Sequence, residues 1–252
     1  MVKVGGGVAN GGCFKMNSWP TDELHALVNS DSVAAVFATV AKAARGLGFE
    51  YCAFGLRLPL PVSGPRLMAI SNYPEAWQRR YRDQAYLAVD PTVRHGINRV
   101  TPLIWSQQVF SGAQELWEDA RSYGLAHGWM APCHDGHGVC SMLTFARSAE
   151  ELGEPELAQK LPMLQSLSQA AHEKISVAVV PKLMPEIAVA LTGREVDALR
   201  WTAEGKTSAE IGEIVGIAER TVVWHLNNAV AKLGAGNKTA AEVRAAVLGM
   251  LN

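Results

Sequence analysis

Cysteine is scarce in this sequence: the 252 residues include four, Cys13, Cys52, Cys133 and Cys140, and no two of them form a Cys-x-x-Cys pair. That excludes a disulfide-built scaffold and leaves reduced thiols, packed as small hydrophobes, as the default. Long apolar runs are missing as well. No stretch approaches the eighteen or so residues that a membrane span requires, and residues 1–18 lack the apolar centre of a signal peptide. No membrane partner is therefore expected, and the cytoplasm is the expected location. An excess of one charge is also absent, since 23 Lys+Arg face 24 Asp+Glu for a formal net charge of -1. Without a global basic footprint, any claim of nucleic-acid binding has to rest on a motif. What the sequence does have is core-forming material: 48% hydrophobic against 19% charged residues excludes a disordered chain. The length suggests one large and one small domain at about 150 residues per domain.

Residues 1–18, with Gly5-Gly6-Gly7 and Gly11-Gly12, show no periodicity and read as a flexible tail. From residue 31 onward Val33, Val36, Phe37, Val40, Ala44 and Leu47 recur at helical spacing. Residues 49–58 and 66–71 read as strands, and a helix is expected to start at Pro74 and run through Trp77 and Tyr81. A third strand is expected over 101–106, a helix over 114–123, two strands over 129–134 and 139–146, and a mostly helical segment over 156–179. Helices at both ends with strands between predict an α/β/α sandwich, with a sheet covered on both faces. Pro181 and Pro185 bracket a stiff connector, after which only short helices follow. The expected partition is a large domain over 19–181, a linker over 182–190 and an all-α four-helix unit over 191–252, giving an α+β chain overall.

In that last unit Thr192-Gly193-Arg194-Glu195 and Thr207-Ser208-Ala209-Glu210 are T-x-x-E capping boxes, each fixing a helix start. The first helix is expected to bury Val196, Leu199 and Trp201 and to end at Gly205. The second, with Ile211, Ile214 and Val215, ends at Gly216, and only Gly216-Ile217-Ala218-Glu219 separates it from a third. On the third helix Val222, Leu226, either Ala229 or Val230, and Leu233 form the apolar face. A final helix over 239–250 closes the unit, and the second and third make a helix-turn-helix. The face opposite the apolar one carries Arg220, Thr221, Val223, Trp224, Asn227 and Asn228, side chains suited to reading double-stranded DNA in the major groove. Lys206, Lys232 and Lys238 are candidates for phosphate contacts. The alternative is a helical bundle for protein association. It draws force from charge, because residues 185–252 carry seven basic against eight acidic side chains.

Leu191-Thr192-Gly193-Arg194-Glu195, then Glu204-Gly205-Lys206-Thr207, Glu210-Ile211, Glu219-Arg220-Thr221-Val222, His225 and Lys232-Leu233, resemble the helix-turn-helix of LuxR-type transcription regulators. Ala218 stands where that family usually has a capping Ser, and Val223-Trp224 replaces a more polar pair. Further toward the amino terminus, Trp77 and Tyr81 share a helix face, Tyr73 lies four residues further back just before the helix, and Asp90 and Trp105 sit near element ends. By themselves these residues describe an aromatic core around one carboxylate, with Asp90 capping ahead of Pro91. Asn72-Tyr73-Pro74-x-x-Trp77-x-x-x-Tyr81, Asp90-Pro91-Thr92, Trp105, Gly128 and Pro132 also resemble the autoinducer-binding domain of quorum-sensing LuxR-type receptors.

That resemblance implies an N-acyl-homoserine lactone as ligand. Asp90 would accept its amide N–H, Trp77 would donate to the lactone carbonyl and Tyr81 to the acyl carbonyl, and Trp105 and Tyr73 would wall the ring. Thr144 and Met130 are the implied central-strand positions, and Leu56, Leu58, Ile70 and Leu87 are expected to line the acyl tail. The resemblance further implies a homodimer on an inverted-repeat promoter site, with RNA polymerase as a further partner. Neither a cofactor nor a metal is expected, and the protein is expected not to be an enzyme. Gly138-Val139-Cys140-Ser141-Met142 lacks the second glycine of a nucleophile elbow. Cys133, His134, His137 and Cys140 do not match a common zinc spacing. The amino-terminal portion also lacks the clustered acidic residues that would hold Mg²⁺ in a phosphorylated receiver.

Overall fold

The computed structural model describes Leu27 and residues 32–251; the expected tail over 1–18 lies outside the described residues. Ser32 caps the first described helix, α1 (Val33–Gly46), by accepting the Ala35 N–H, and the helical spacing of Val36, Phe37, Val40 and Ala44 places all four in the core. Five antiparallel strands follow in the spatial order β2-β1-β5-β4-β3: β1 (Tyr51–Arg57), β2 (Leu67–Ser71), β3 (Leu103–Ile104), β4 (His127–His134) and β5 (Cys140–Arg147).

Strand alternation sorts the two faces of this sheet. Cys52, Phe54, Leu56, Trp129, Ala131, Leu143 and Phe145 point to one face, where they pack with α1 and the long helix α5 (Glu154–Leu183). The other face is covered by α2 (Glu75–Asp83), α3 (Pro91–Asn98) and α4 (Gln114–Ser122). The sandwich expected from the sequence is present. The third strand is shorter than expected, and Pro91 opens a helix because its missing N–H is unneeded at a first helical position.

The connector begins later than expected. Pro181 lies inside α5, which runs to Leu183, and the connection is the 3₁₀ turn Pro185–Ala188. Each internal proline removes one N–H bond, but the carbonyls it abandons belong to Ala158 and Val177, both exposed, where water can serve them.

The junction of β5 and α5 is held by charge. Arg147, almost fully buried, donates to both carboxylate oxygens of Glu156 at 2.8 Å and to the backbone carbonyls of Glu150 and Glu151, and Lys160 also donates to Glu156. These donors hold the Glu156 carboxyl down at about 2 from its usual 4.5. Its contribution to stability is therefore complete above about pH 4.5 and is lost as pH falls toward 2. Glu156→Gln should lower stability by about 1 kcal/mol near neutrality, with the deficit relative to the parent shrinking through that acid window. Urea unfolding at a series of pH values checks this.

The carboxy-terminal unit has its own core, built from Ala198, Leu199, Ile211, Val222, Leu226, Ala229, Leu233, Ala241 and Ala245 on α6 (Gly193–Ala203), α7 (Ser208–Val215), α8 (Glu219–Lys232) and α9 (Lys238–Val247). Both capping boxes form as expected. Ile214 does not join this core: it is 47% exposed, because α7 is two turns long and buries only Ile211 and Gly212. Val196 is only partly buried. Beyond α9, Leu248 is fully buried against the core of the large domain, and His137 Nδ1 lies 3.1 Å from its carbonyl oxygen.

Candidate functional site

Two places carry chemistry. The first lies between the sheet and helices α2 to α4. Helical spacing brings Trp77 and Tyr81 edge to face on α2, with ring centroids 5.7 Å apart. A left-handed break at Ala85 (φ 51) ends that run and turns Tyr86 back beneath it, so that Trp77 stacks on Tyr86 at 6.1 Å and meets Tyr123 at 5.7 Å. Tyr73 stands edge-on to Tyr51 at 6.2 Å. Asp119 on α4 fastens the cluster, accepting from the Tyr86 hydroxyl and the Arg80 Nε, each at 2.6 Å. Those two bonds hold the Asp119 carboxyl below the usual carboxylate range.

Asp90 sits at the N-cap of α3. One of its oxygens accepts from the Thr92 backbone N–H at 2.8 Å and from the Thr92 hydroxyl at 2.7 Å; the other accepts from the Tyr81 hydroxyl at 2.8 Å. Burial, reinforced by the nearby Asp90, pushes the Tyr81 phenol far above its usual range, and burial does the same for Tyr73. Both therefore remain O–H donors. Trp105 packs on β4, where its ring occupies the space a side chain at residue 128 would need, so Gly128 is required there. Its indole Nε1 is buried without a hydrogen-bond partner among the described residues.

One rung of the sheet forms the floor beneath this cluster: Ser71, Ala53, Thr144, Met130 and Leu103 are successive cross-strand partners. Thr144 and Met130, expected from the sequence, thus stand side by side facing α3, and Met130 is fully buried. The expected tail lining is corrected. Leu56 and Leu58 are fully buried in the core beneath α1 and α5, Ile70 packs against that same core, and Leu87 is 45% exposed. Phe54, Leu56, Met68 and Ile70 occupy the alternate positions, which leaves the small residues Ala53, Gly55, Ala69 and Ser71, between Tyr51 at one end and Arg57 and Leu67 at the other, on the side facing α2 to α4. Tyr86, Tyr123 and Ser71 were missed because they belong to a tight turn, a helix end and a strand of unremarked parity. A surface groove of about 370 Å³ bordered by Arg94, His95 and Leu103 contains none of the expected site residues.

Of the four candidate metal ligands Cys140 and His134 meet, Sγ to Nε2 at 3.9 Å, but no three of them converge among the described residues. Cys140 Sγ donates to the Gly96 carbonyl, His134 Nε2 lies 3.2 Å from the Arg99 carbonyl, and His137 meets Leu248. Burial raises the thiols of Cys133 and Cys140 to about 11 and that of Cys52 to about 12, so all three are thiols rather than thiolates at neutral pH.

The second place is helix α8. Its buried stripe, Val222, Leu226 and Ala229, presses on α6 and α7, so Arg220, Val223, Trp224 and Asn227 face outward; Val223 is 41% and Trp224 58% exposed. Thr221 and Asn228 are half-buried at the edges of that face. Lys206 is half-buried and Lys238 exposed. Lys232 is withdrawn from phosphate duty, because its ammonium lies 2.7 Å from Glu195, which is 3% exposed and needs the partner. Ala218 caps α8 with no side-chain bond.

Residues 32–175 match the autoinducer binding domain family, and residues 189–245 match the luxR family of bacterial regulatory proteins. The chain is 44% identical to the transcriptional activator protein AnoR of Acinetobacter nosocomialis over 238 residues, covering 94% of this chain and 100% of that protein. Among solved structures, Escherichia coli SdiA superposes with a TM-score of 0.78 at 31% identity, covering 92% of this chain and 97% of SdiA. A second SdiA structure, in complex with octanoyl-rac-glycerol, gives 0.75. CepR2 of Burkholderia cenocepacia, described as an N-acylhomoserine lactone dependent LuxR family transcription factor, gives 0.58 at 31% identity over 65% of this chain and 94% of that one.

Proposed function

The chain belongs to the luxR family of bacterial quorum-sensing transcriptional regulators, a non-enzymatic family, and joins an autoinducer-binding domain to a helix-turn-helix; from that premise we propose that it senses an N-acyl-homoserine lactone and reads an inverted-repeat DNA site as a homodimer. In this reading the sensor, expected over 19–181, extends to the end of α5 at Leu183, the linker runs from there to residue 190 and the reader covers 191–252. One observation carries the ligand reading: a cage of aromatic rings holds a carboxylate acceptor, Asp90, together with a buried indole donor without a partner, Trp105 Nε1. A lactone amide supplies the N–H that the first can accept and carbonyl oxygens that the second can bind.

The lactone N–H displaces or joins the Tyr81 hydroxyl at Asp90, and a displaced Tyr81 donates to the acyl carbonyl. Trp77 and Trp105 serve the lactone carbonyl end, Tyr73 walls the ring, and Thr144 and Met130 floor the acyl chain. Ligand bound only to the folded sensor stabilises it by mass action. The folded sensors pair, and pairing sets the spacing of two α8 helices on DNA. Arg220 and Asn227 read base edges, Thr221, Val223, Trp224 and Asn228 flank them, and Lys206 and Lys238 contact phosphate. RNA polymerase is the partner downstream of the bound dimer.

An acylglycerol is the second reading, favoured by the SdiA complex with octanoyl-rac-glycerol. Glycerol hydroxyls can donate to Asp90 as an amide can. Melting of the full chain with a panel of acyl-homoserine lactones and with octanoylglycerol separates the two. A rise of several degrees with at least one lactone, larger than with octanoylglycerol, is expected; no rise with any lactone refutes the lactone assignment.

A further inference from the structure

Helix α3 roofs the floor of the cage. Its inward face carries Thr92 and Gly96, four residues apart, both buried. Gly96 lies about 9 Å along the helix from Asp90. Beneath Gly96 the roof closes onto the sheet: a methyl group on this glycine would overlap the thioether of Met142 and come within 3.1 Å of Met130 Cε. The Cys140 thiol, 3.3 Å from the Gly96 carbonyl, pins the same turn of α3 to β5. Met142 pairs with Gly55 on one side and Pro132 on the other, so its side chain lies on a sheet face that is small-residued on β1 at Ala53 and Gly55.

From this arrangement we infer that Met142, backed by Gly96 and Met130, is the end wall of the acyl channel and restricts the receptor to short acyl chains of about hexanoyl length. The inference rests on the lactone reading and names the ligand within it. An acyl carbonyl placed near Asp90 and Thr144 leaves only two strand residues, about 6.6 Å, before Met142. A tail that ends there keeps the Met142–Gly96 contact intact. A longer tail has to displace the methionine, and the glycine opposite offers no side chain that could move aside in its place. Methionine is unbranched and adaptable, so displacement weakens long-chain binding without forbidding it.

The test uses the full chain and the butanoyl, hexanoyl, octanoyl and dodecanoyl homoserine lactones, with dissociation constants taken from the ligand-induced melting shift of each variant against its own ligand-free form. The parent should bind the hexanoyl compound at least about tenfold more tightly than the dodecanoyl one. Met142→Ala should shift that ratio at least about tenfold toward dodecanoyl, and Met142→Phe should shift preference toward butanoyl. Met142→Leu, which conserves volume, should behave as the parent and shows that the site tolerates exchange. Where Met142→Ala does not fold, Met142→Val replaces it with the same expected direction. A parent that prefers dodecanoyl, or a folded small-residue variant with the parent's ratio, overturns the end wall while leaving the lactone reading standing. Absence of any shift in the parent with all four lactones overturns both.

Discussion

Asp90→Ala is expected to remove the response to acyl-homoserine lactone, with affinity falling at least about a hundredfold. The carboxylate accepts three hydrogen bonds from Tyr81 and Thr92, and in the proposed reading the ligand amide would use the same group. A charge-assisted bond is worth about 1.5–3 kcal/mol, and a site built around one rejects partners steeply once it is gone. The substitution also removes the N-cap of α3, which costs about 1 kcal/mol of ligand-free stability. Asp90→Asn separates the two effects. Its amide oxygen can still accept the Thr92 N–H, so ligand-free stability changes little. Its NH₂ group, however, turns a donor toward Tyr81 and the ligand N–H, and the response still falls. Melting curves with and without lactone for both variants check this; an Asp90→Asn protein with the parent's lactone shift would remove Asp90 from the site.

The second large effect concerns α8. Arg220 and Asn227 are exposed on the face opposite the buried Val222, Leu226 and Ala229. Each specific base contact contributes about 1–3 kcal/mol, and in a symmetric dimer every substitution occurs twice. The double variant Arg220→Ala, Asn227→Ala should therefore lose at least about a hundredfold in affinity for its specific DNA with the reader still folded, since neither side chain enters the core. Lys238→Ala should instead weaken binding evenly across sequences and flatten the salt dependence. Fluorescence anisotropy with specific and scrambled duplexes at two salt concentrations distinguishes these outcomes. Parent-like binding by the double variant would move DNA reading away from α8.

The charge balance bears on this control. The reader, residues 191–252, carries seven basic and seven acidic side chains, and Lys232 is further neutralised by the buried Glu195. A single reader therefore has little sequence-independent attraction for phosphate, and two joined half-site contacts are needed for tight binding. In the proposed mechanism, coupling ligand to pairing would thus couple it to DNA.

The reader was the more legible half because its signals are local. Two T-x-x-E boxes, a glycine-containing turn and a helical stripe determine α6, α7 and α8 within a few residues, and the outward face follows from the inward one. Ile214 was misplaced because a two-turn helix offers too narrow a contact to bury a full stripe. The sensor's aromatic anchors on α2 were likewise readable from four-residue spacing. Its floor was not. Which parity of a strand faces the ligand depends on pairing with distant strands, so Leu56, Leu58 and Ile70 were assigned to the wrong side. Tyr86 and Tyr123 enter the cage through a left-handed residue and a helix end that no periodicity announces. Gly96 and Met142 meet only because α3 crosses β5, a contact invisible to any pattern along the chain.

Native mass spectrometry of the full chain, prepared with and without the hexanoyl lactone and then mixed with an inverted-repeat duplex, tests the central claim most directly. Ligand burial in the Asp90 cage, pairing and DNA reading by α8 predict a dimer carrying one lactone per chain that retains the duplex, and a ligand-free sample that is mostly monomer and duplex-free. A ligand-free dimer that holds the duplex as well as the liganded one, or a lactone-containing monomer that does not pair, would contradict the account.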